Sequence, residues 1–341
     1  MTTMQAIAYT AYGGPNVSKL LPFPVPVAKA GEVQVRVAGG GLNPVDALQR
    51  QGTFKMVYGY TFPQIAGNEF SGTVSAVGEG VSGVAVGDKV IARTDKNELN
   101  AFAEYTTIEA GLVAKAPANI PLVDAAGLPL AGLTAHQALE RLEVKKGDHV
   151  LITAGAGGVG LLAIQLAKLR GASVTTTASP AGESYVRKAG ADEVINYRET
   201  KLSTLGPTFD KVFDLAAHSN EEMQETFAAV KPGGHVLTIS GPPTPAMFDQ
   251  AGLPWWKSWI VSTAIGWTSR ATINAAAAKD IKYEFFFMHP DGKDLQVLSD
   301  HVAAGKLDVV IDSRYKLAEW EKAYEKLESG RSKGKVVIDF E

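Results

Sequence analysis

The order of hydrophobic and polar positions divides the chain into a β-rich first third and a later region where strands and helices alternate. In the first third, apolar and polar residues alternate in short runs, which predicts strands at 5–9, 32–37, 72–78, 88–92 and 102–106. Many short strands bounded by glycines are typical of a partly open barrel. We therefore expect a β-rich domain in the N-terminal part of the chain.

The middle of the chain follows a different pattern. Apolar runs predict strands at 149–154, 173–177, 193–195, 211–214 and 235–240, and helical periodicity fills most of the intervals between them. Strands that alternate with helices indicate right-handed crossovers and a parallel sheet covered on both faces. The sequence therefore predicts an α/β fold whose central part is a doubly wound sheet.

The segment 242–280 is the least regular part of the chain. Prolines interrupt it, and it contains four of the five tryptophans: Trp255, Trp256, Trp259 and Trp267. An apolar helix must bury against something, so this segment is interpreted as core or subunit contact, or alternatively as a lid over an apolar substrate. After it we predict a strand at 282–287, helices at 295–304 and 317–327, and a last strand at 335–340 that returns to the first domain.

Length and composition narrow the class of protein. The chain has 341 residues, which exceeds the size of a single core, roughly 250–300 residues, and favours two domains. A net charge of −3 gives no reason to expect nucleic acid or an anionic membrane as a partner. The absence of cysteine excludes disulfides, thiolate nucleophiles and Cys-ligated metal sites. No signal peptide or membrane span is recognisable, so a soluble cytoplasmic protein is expected.

The strongest candidate for chemistry is the glycine-rich turn between the strand at 149–154 and the helix that follows. Gly155, Gly157 and Gly160 fit the GxGxxG spacing of dinucleotide sites. The first glycine permits a tight turn, the second lets a pyrophosphate approach the backbone, and the third lets the helix pack on the strand. The helix N-terminus then offers free N–H groups to the phosphates. We therefore predict a dinucleotide cofactor.

The end of the second strand of this region indicates which dinucleotide binds. An acidic residue there would accept a hydrogen bond from the ribose 2′-hydroxyl of NAD, but the chain has Thr177, Ala178 and Ser179 followed by proline. Small hydroxyl residues leave room for a 2′-phosphate, so NADP is favoured over NAD. The nearest cations are Arg187, Lys188 and Arg198.

Two positions in the first third also deserve a chemical interpretation. Asn43 precedes Pro44 and Asp46, which is the pattern of a helix start with Asn43 as N-cap. The same amide could instead, or as well, serve an active site. Glu69 follows Gly67 and Asn68 beside a glycine turn, and we interpret it as a structural hydrogen-bonding residue.

Together these features resemble the medium-chain dehydrogenase/reductase superfamily, and more narrowly its zinc-free quinone oxidoreductase and enone reductase branch. The resemblance implies a GroES-like catalytic domain at 1–126, completed by 290–341, and a Rossmann NADP-binding domain at 127–289. It rests on the following motifs: GLNPVDALQRQG (41–52), PQIAGNEFSGTVSAVGEGV (63–81), VGDKVIA (86–92), AAGLPLAGLTAHQAL (125–139), TAGAGGVGLLAIQLAK (153–168), ADEVINYRE (191–199) and LESGRSKGKVVI (327–338).

Departures from the zinc alcohol dehydrogenases of the same superfamily bear on the mechanism. Those relatives hold a catalytic zinc through a Cys in the first motif, a His in a Gly-His-Glu motif and a later ligand. Here Asn43 stands at the Cys place and Asn68 at the His place, and the lobe of four structural cysteines cannot form. The resemblance therefore implies an enzyme without zinc, and argues against ordinary alcohol oxidation.

In the zinc-free branch, NADPH gives a hydride to a quinone or to the β-carbon of an α,β-unsaturated carbonyl. Such acceptors form a delocalised enolate or quinol anion, which oriented hydrogen-bond donors can stabilise. We therefore expect a small electrophilic acceptor as substrate. The alternative is an NADP-binding sensor or scaffold of the same fold with little turnover. The family also implies a homodimer, with the 285–287 strand and the tryptophan segment as candidate contacts.

The resemblance assigns roles to individual residues. Asn43 is the candidate catalytic residue, and it would polarise the substrate oxygen or place the nicotinamide ribose. Leu48, and the lack of a Lys at 180–182, depart from positions where relatives carry lysine, so the NADP preference could be weaker than usual. The implied cofactor contacts are Gly155, Gly157, Gly158 and Val159 at the pyrophosphate, Ser179 and Tyr197 at the 2′-phosphate, and Thr134, Asn43, Ser240, Gly241 and Phe287 toward the ribose or nicotinamide.

Overall fold

The computed structural model of the protein describes residues 2–55, 59–95, 98–245, 263, 266 and 268–341. The chain divides into two compact units, one made of Met1–Leu133 with His289–Glu341 and the other of Thr134–Met288. The sequence placed the first boundary after Ala126. The four tryptophans Trp255, Trp256, Trp259 and Trp267 lie outside the described residues, so their interpretation as core, subunit contact or lid stays a prediction.

The first unit is β-rich. Its strands are β1 (Thr3–Tyr9), β2 (Ser18–Pro24), β3 (Glu32–Leu42), β4 (Gln64–Ile65), β5 (Glu69–Val77), β6 (Lys89–Arg93), β7 (Tyr105–Glu109), β8 (Val113–Lys115), β15 (Ile311–Lys316) and β16 (Lys335–Asp339). They form a three-stranded sheet in the order β2-β1-β4 and a seven-stranded sheet in the order β15-β16-β3-β5-β6-β8, with β7 paired to β3. The GroES-like, β-rich prediction for this part of the chain is thereby confirmed.

The last strand of the chain returns to this unit, as the sequence predicted. β16 pairs antiparallel with β3, so that Val336 lies opposite Leu42 and Val337 opposite Gly41. This register brings Lys335, the residue before Val336, to the end of β3, where helix α1 (Pro44–Gln51) begins. Two segments that are far apart in sequence therefore meet at one end of β3.

Short helices surround these sheets. Those of the first unit, in the described part of the chain, are α1 (Pro44–Gln51), α2 (Leu122–Ala125), the start of α3 (Pro129–Arg141), α8 (Gly292–Ala303) and α9 (Trp320–Glu328). The apolar faces of the strands and α9 bury a common core that includes Ile7, Val35, Phe70, Trp320 and Ile338. Burial of these side chains provides the main stabilisation of the unit.

The second unit contains a parallel sheet flanked by helices. Its strands are β9 (His149–Ile152), β10 (Ser173–Ala178), β11 (Glu193–Asn196), β12 (Phe209–Asp214), β13 (Val230–Thr238) and β14 (Lys282–Phe285), and its described helices include α4 (Gly158–Leu169), α5 (Pro180–Lys188), α6 (Asn220–Ala228) and α7 (Arg270–Ala277). The strand order is β11-β10-β9-β12-β13-β14, which is the doubly wound order of dinucleotide-binding domains. The prediction of a Rossmann sheet is confirmed.

In this order the direction of winding reverses between β9 and β12. Ligands of open parallel sheets bind beyond the carboxyl ends of the strands at such a switch point. The loops that leave β9, β10, β12 and β13 are therefore the ones to search for a nucleotide site.

The bounds predicted for two strands were wrong. The strand predicted at 149–154 ends at Ile152 because Ala154 has a positive φ of 49° and turns the chain. The strand predicted at 102–106 begins only at Tyr105, since Phe102 exchanges backbone hydrogen bonds with Ile7 and Ala66 instead.

Three further boundaries differ near the C-terminal half. The 282–287 strand ends at Phe285. The helix predicted at 317–327 is a 3₁₀ turn at Leu317–Glu319 followed by α9. The strand predicted at 235–240 begins earlier and is β13, Val230–Thr238. Gly233 and Gly234 lie inside it, where the pairing with β12 shifts register between Phe209 and Lys211.

Candidate functional site

The glycine-rich loop leaves β9 and enters α4, as the sequence predicted. The first backbone bond within the helix runs from the Leu161 N–H to the Gly157 carbonyl, at 3.0 Å. The N–H groups of Gly158, Val159 and Gly160 therefore precede the hydrogen-bonded turn and have no acceptor inside the helix. They lie at the positive end of the helix dipole, which is a favourable place for a phosphate.

The three motif glycines face different surroundings. A Cβ added at Gly155 would come within 1.9 Å of the Thr176 hydroxyl, and one at Gly160 within 2.6 Å of the Ala154 carbonyl oxygen. At Gly157 the nearest atom would be 3.4 Å away, in ordinary contact. Gly155 and Gly160 are thus required by packing, whereas Gly157 leaves open space at the helix N-terminus. The sequence prediction of a pyrophosphate contact at this glycine requires such space.

The predicted 2′-phosphate residues lie at the carboxyl ends of adjacent strands. In the parallel pairing of β10 with β11, Ala178 lies opposite Asn196. Ser179 and Tyr197 directly follow the two strands, so both lie at the carboxyl edge of the sheet. Ser179 is the N-cap of α5, and Tyr197 is exposed. No acidic residue ends β10, in agreement with the sequence.

Among the cations near these strand ends, Arg198 differs from Arg187. The Arg187 guanidinium is 2.8 Å from the Glu183 carboxylate on the same helix. Arg198 instead lies over the Tyr197 ring, 6.0 Å from its centroid, and in the described part of the chain no carboxylate pairs with it. Its backbone N–H donates to the Asn196 side-chain oxygen at 3.2 Å. Arg198 is exposed and available to an anion beside Tyr197.

The remaining predicted residues of the second unit occupy separate places. Ser240 and Gly241 lie two and three residues after the end of β13, and within the described residues the buried Ser240 hydroxyl has no hydrogen-bond partner. An orphaned hydroxyl beyond a strand end is compatible with a bound ligand. Thr134 is buried on α3. Phe287 is partly exposed beyond β14, with its ring 5.2 Å from that of Phe285.

In the first unit, Asn43 belongs to a buried polar cluster with Glu69 and Lys335. The Lys335 ammonium donates to the Asn43 Oδ1 at 2.5 Å, to a Glu69 carboxylate oxygen at 2.7 Å and to the Leu42 carbonyl at 2.9 Å. The other Glu69 oxygen accepts from the Leu130 N–H at 2.6 Å, at the start of α3. The three side chains are at most 4% exposed. Gly41 admits the Glu69 carboxylate, because a Cβ there would lie 2.4 Å from it.

The neighbours of Asn43 fix the orientation of its amide. Lys335 can only donate, so the amide oxygen must face it, and the ionised Glu69 can only accept, so the amide nitrogen must face Glu69 at 2.7 Å. The second hydrogen of that nitrogen is directed to the Gly41 carbonyl at 3.2 Å. Both amide hydrogens are therefore used, and only the oxygen keeps a free lone pair.

A second layer of polar groups supports the first turn of α1. The Asp46 carboxylate accepts from the Asn43 backbone N–H at 2.7 Å and from the Asn68 side chain at 2.6 Å. Asn68 also pairs with Gln49, at 2.7 Å between its nitrogen and the Gln49 oxygen. Burial raises the pKa of Asp46 to about 6, although these hydrogen bonds oppose the shift. Asn43 is thus the N-cap in position, while its side chain serves the cluster with Glu69.

This donor set does not fit a zinc ion. Zinc in proteins takes thiolate sulfur, imidazole nitrogen or carboxylate oxygen, whereas Asn43 and Asn68 present amides whose polar atoms are already engaged by Lys335, Glu69, Asp46 and Gln49. A lysine ammonium at 2.5 Å from the Asn43 oxygen also opposes a second cation.

Sequence reasoning missed Lys335 and assigned Glu69 only a structural role. The structure confirms that Glu69 is a hydrogen-bonding residue, and shows that it is the centre of the cluster. A signal was present for Lys335, because it directly precedes the apolar run Val336–Ile338 in a strand, where a lysine requires a buried partner. The partner itself, more than 260 positions away, could not be read from the pattern.

A parallel sheet in doubly wound order, with an open helix N-terminus beyond β9, defines a nucleotide-dependent oxidoreductase when it is joined to a GroES-like unit. The family model described as an alcohol dehydrogenase GroES-like domain matches residues 29–118, and that described as a zinc-binding dehydrogenase matches 189–338.

Within the described residues, none of the helices combines the length and apolar character needed to cross a bilayer.

Relatives over the full chain identify the branch. An NADPH-dependent alkenal/one oxidoreductase of Arabidopsis thaliana is 33% identical over 98% of this chain and 79% of its own length. A chloroplast envelope quinone oxidoreductase homolog of the same plant is 30% identical over 98% of both chains. The solved quinone oxidoreductase of Coxiella burnetii superposes with a TM-score of 0.85 at 31% identity and full coverage of both chains. The chain belongs to the quinone and enone reductase branch of the medium-chain dehydrogenase/reductase superfamily, and it is an oxidoreductase.

The open space at Gly157 leads to a testable difference between two glycines. Gly157→Ala should fold normally, since its φ of −77° suits alanine and the new Cβ meets only an ordinary contact. It should weaken NADP⁺ binding at least about tenfold, because the methyl group would occupy the place predicted for the pyrophosphate. Isothermal titration measures this effect.

Gly155→Ala provides the matched control. Its Cβ collides with Thr176, so overpacking should destabilise the fold by about 1–3 kcal/mol, seen as a lower midpoint of denaturant unfolding. Equal loss of stability in both variants would contradict the assignment of Gly157 to the ligand.

The buried ion pair gives a second prediction. Lys335→Met leaves the Glu69 carboxylate buried without its cation and should lower the free energy of unfolding by about 3–5 kcal/mol. Adding Glu69→Gln should recover part of this loss, since the remaining partner is then neutral. Denaturant unfolding of both variants measures the difference.

Lys316→Met is the control for loss of a lysine charge. Lys316 is 63% exposed and pairs with Asp339 at 2.6 Å on the same sheet. Its replacement should change stability by less than about 1 kcal/mol. A comparable effect of the two lysine substitutions would show that the buried cluster is not special.

Proposed function

We propose that the protein is a zinc-independent, NADPH-dependent oxidoreductase that transfers a hydride to a quinone or to an α,β-unsaturated carbonyl. The observation that carries the proposal is the closed cluster of Asn43, Glu69 and Lys335, whose polar atoms are engaged with one another rather than arranged around a metal. The names of the relatives, an alkenal/one reductase and quinone oxidoreductases, support the same class of acceptor.

The lack of zinc donors limits which substrates can react. A simple ketone or aldehyde places negative charge on one oxygen during reduction and needs a strong electrophile. A quinone or an enone spreads that charge over a conjugated system, so hydrogen-bond donors suffice. We infer that the acceptor supplies part of its own activation, and that the proton that completes the reaction comes from water.

The second unit would hold the cofactor, which supplies the hydride. The N–H groups of Gly158 and Val159 bind its pyrophosphate in the space left open by Gly157. Ser179 and Tyr197 lie where strands β10 and β11 end, and we assign them to the adenosine 2′-phosphate with Arg198 as the countercharge. Arg198 then compensates for the lysine that residues 180–182 lack.

Asn43 would act through its oxygen. Of the two roles considered from the sequence, polarising the substrate oxygen requires a free N–H, and both amide hydrogens are occupied by Glu69 and Gly41. The oxygen retains a lone pair and can accept from a hydroxyl of the nicotinamide ribose. Ser240, whose hydroxyl has no hydrogen-bond partner among the described residues, is also assigned to the cofactor. We also assign cofactor binding to Gly155, Gly241, Thr134 and Phe287.

Three broader assignments are proposals of the same kind. The segment 1–126 with 290–341 is assigned to catalysis and 127–289 to NADP. A homodimer is proposed through β14 and the Phe285–Phe287 segment, because β14 is an edge strand in the described sheet and an exposed edge invites pairing. A cytoplasmic location is proposed from the sequence, although named relatives are chloroplastic or mitochondrial.

The proposed activity can be tested with a panel of acceptors. Purified protein should oxidise NADPH in the presence of quinones and of enones, more slowly with NADH, and at an unchanged rate after dialysis against a chelator. Metal analysis should find no stoichiometric zinc. Tight NADP⁺ binding without turnover of any acceptor would favour the sensor or scaffold alternative, and a loss of activity on chelation would contradict zinc independence.

The role of Arg198 is tested by cofactor preference. Arg198→Ala should raise the KM for NADPH about tenfold or more, because the 2′-phosphate loses a charge-assisted hydrogen bond, and should leave the KM for NADH unchanged. Arg187→Ala removes a nearby arginine that is already paired with Glu183, and should leave both values unchanged. Parallel loss for NADPH and NADH in Arg198→Ala would overturn the assignment.

A further inference from the structure

The ends of three adjacent strands of the second unit, β9, β12 and β13, meet at a single buried carboxylate, that of Asp214 at the end of β12. One of its oxygens accepts from the Thr153 hydroxyl after β9, at 2.9 Å, and the other accepts from the Thr238 hydroxyl at the end of β13, also at 2.9 Å. The three side chains are at most 3% exposed. These strands flank the switch point of the sheet, where the nucleotide loops begin.

Each threonine hydroxyl also accepts a hydrogen bond from a loop. The Thr238 hydroxyl accepts from the Gly241 N–H at 2.8 Å and the Ser240 N–H at 3.2 Å, while the Thr153 hydroxyl accepts from the Leu215 N–H at 2.7 Å. A hydroxyl has one hydrogen and two lone pairs, so Thr238 is fully used. We call this arrangement, from loop N–H through threonine hydroxyl to Asp214, the Asp214 relay.

The direction of the hydrogen bonds in the relay is fixed by the loop N–H groups. Because these N–H groups donate to the threonine hydroxyls, each hydroxyl directs its own hydrogen to the carboxylate. Burial raises the pKa of Asp214, and the hydrogen bonds from the two hydroxyls oppose that shift. The N–H of Ala217, 3.2 Å from the second oxygen, reinforces this direction. An asparagine at this place would direct an N–H at one hydroxyl and displace one of its loop bonds. Both side-chain oxygens of residue 214 must therefore be hydrogen-bond acceptors.

We propose that Asp214 is a positioning residue for the cofactor, because its relay holds the 239–241 loop and the entrance to the glycine-rich loop in one fixed arrangement. This inference rests on the proposed function, which places Ser240 and Gly241 beside the ribose or nicotinamide and Gly155–Gly160 at the pyrophosphate. Two loops that bind different parts of one dinucleotide must keep a constant separation. The relay joins both to the same carboxylate, and a preorganised site binds without ordering its loops.

The relay makes a prediction that does not need the cofactor. Thr238→Val keeps the shape of the side chain but removes the acceptor for two loop N–H groups, whereas Thr238→Ser keeps the hydroxyl. In the protein without nucleotide, the Ser240 and Gly241 amides should exchange with solvent about tenfold faster or more in Thr238→Val and in Asp214→Asn. Thr238→Ser should restore most of the protection. Unchanged exchange in Thr238→Val and Asp214→Asn would show that the relay does not hold the loop.

The effect on the cofactor is measured by titration and by kinetics. Thr238→Val should weaken NADP⁺ binding about tenfold and raise the KM for NADPH equally, while kcat at saturating NADPH stays within about twofold. Thr226→Val serves as control, because Thr226 is a buried threonine on α6 whose hydroxyl bonds within its own helix, at 3.4 Å from the Glu222 carbonyl. Its affinity for NADP⁺ should match that of the original protein.

The outcomes separate the two levels of the proposal. If the original protein binds no NADP⁺, the proposed function fails, and with it the positioning role, whatever the exchange rates. If it binds NADP⁺ and Thr238→Val exchanges faster at residues 240–241 but binds equally well, the relay is structural and the positioning role is overturned. Faster exchange together with weaker binding, both restored in Thr238→Ser, supports the proposal.

Discussion

The buried ion pair between Glu69 and Lys335 is the constraint on which the first unit depends. Removing two charges from water costs several kcal/mol each, and such a pair is tolerable only when every donor and acceptor is satisfied. Here the ammonium has three acceptors and the carboxylate has partners at both oxygens. Meeting that condition requires the last strand beside β3, the start of α3 and the Asn43 amide all to be in place together.

The same constraint determines what the site can do. An Asn43 amide held between a donor-only cation and an acceptor-only carboxylate has one orientation and no spare hydrogen. These donors do not suit a zinc ion, and this is why we propose an acceptor that delocalises its own charge. In the second unit the buried carboxylate of Asp214 has a comparable role. It accepts hydrogen bonds from Thr153 and Thr238, at the ends of two strands from which loops begin. Both units thus use buried carboxylates to fix groups that we assign to ligands.

Much of the fold and part of the candidate site could be predicted from the sequence, because they depend on interactions between residues close together in the chain. The glycine spacing at 155–160, the alternation of strands and helices, and the missing acid after β10 each follow from rules that act within about thirty residues, and the structure agrees with them. The partners of Glu69 and Asp214 were not predictable in this way, because a carboxylate at the end of a strand has the same local pattern whether it is solvated or buried. Their roles depend on partners that include distant ones, 61 positions away for Thr153 with Asp214 and 266 positions away for Lys335 with Glu69. Two strand ends were misplaced for a similar reason. The N–H of Ala154 donates to the Thr177 hydroxyl, and Phe102 bonds to the backbone of Ile7 and Ala66, so both depend on residues from other segments.

The most direct test of the central claim follows the hydride itself. Protein stripped of metal by chelation is supplied with NADPH carrying deuterium at the transferable position of the nicotinamide and with an α,β-unsaturated ketone, and the product is examined by NMR. The account predicts deuterium on the β-carbon of a saturated ketone, with the carbonyl intact. Deuterium on the carbonyl carbon of an alcohol, or no transfer until zinc is restored, would contradict it.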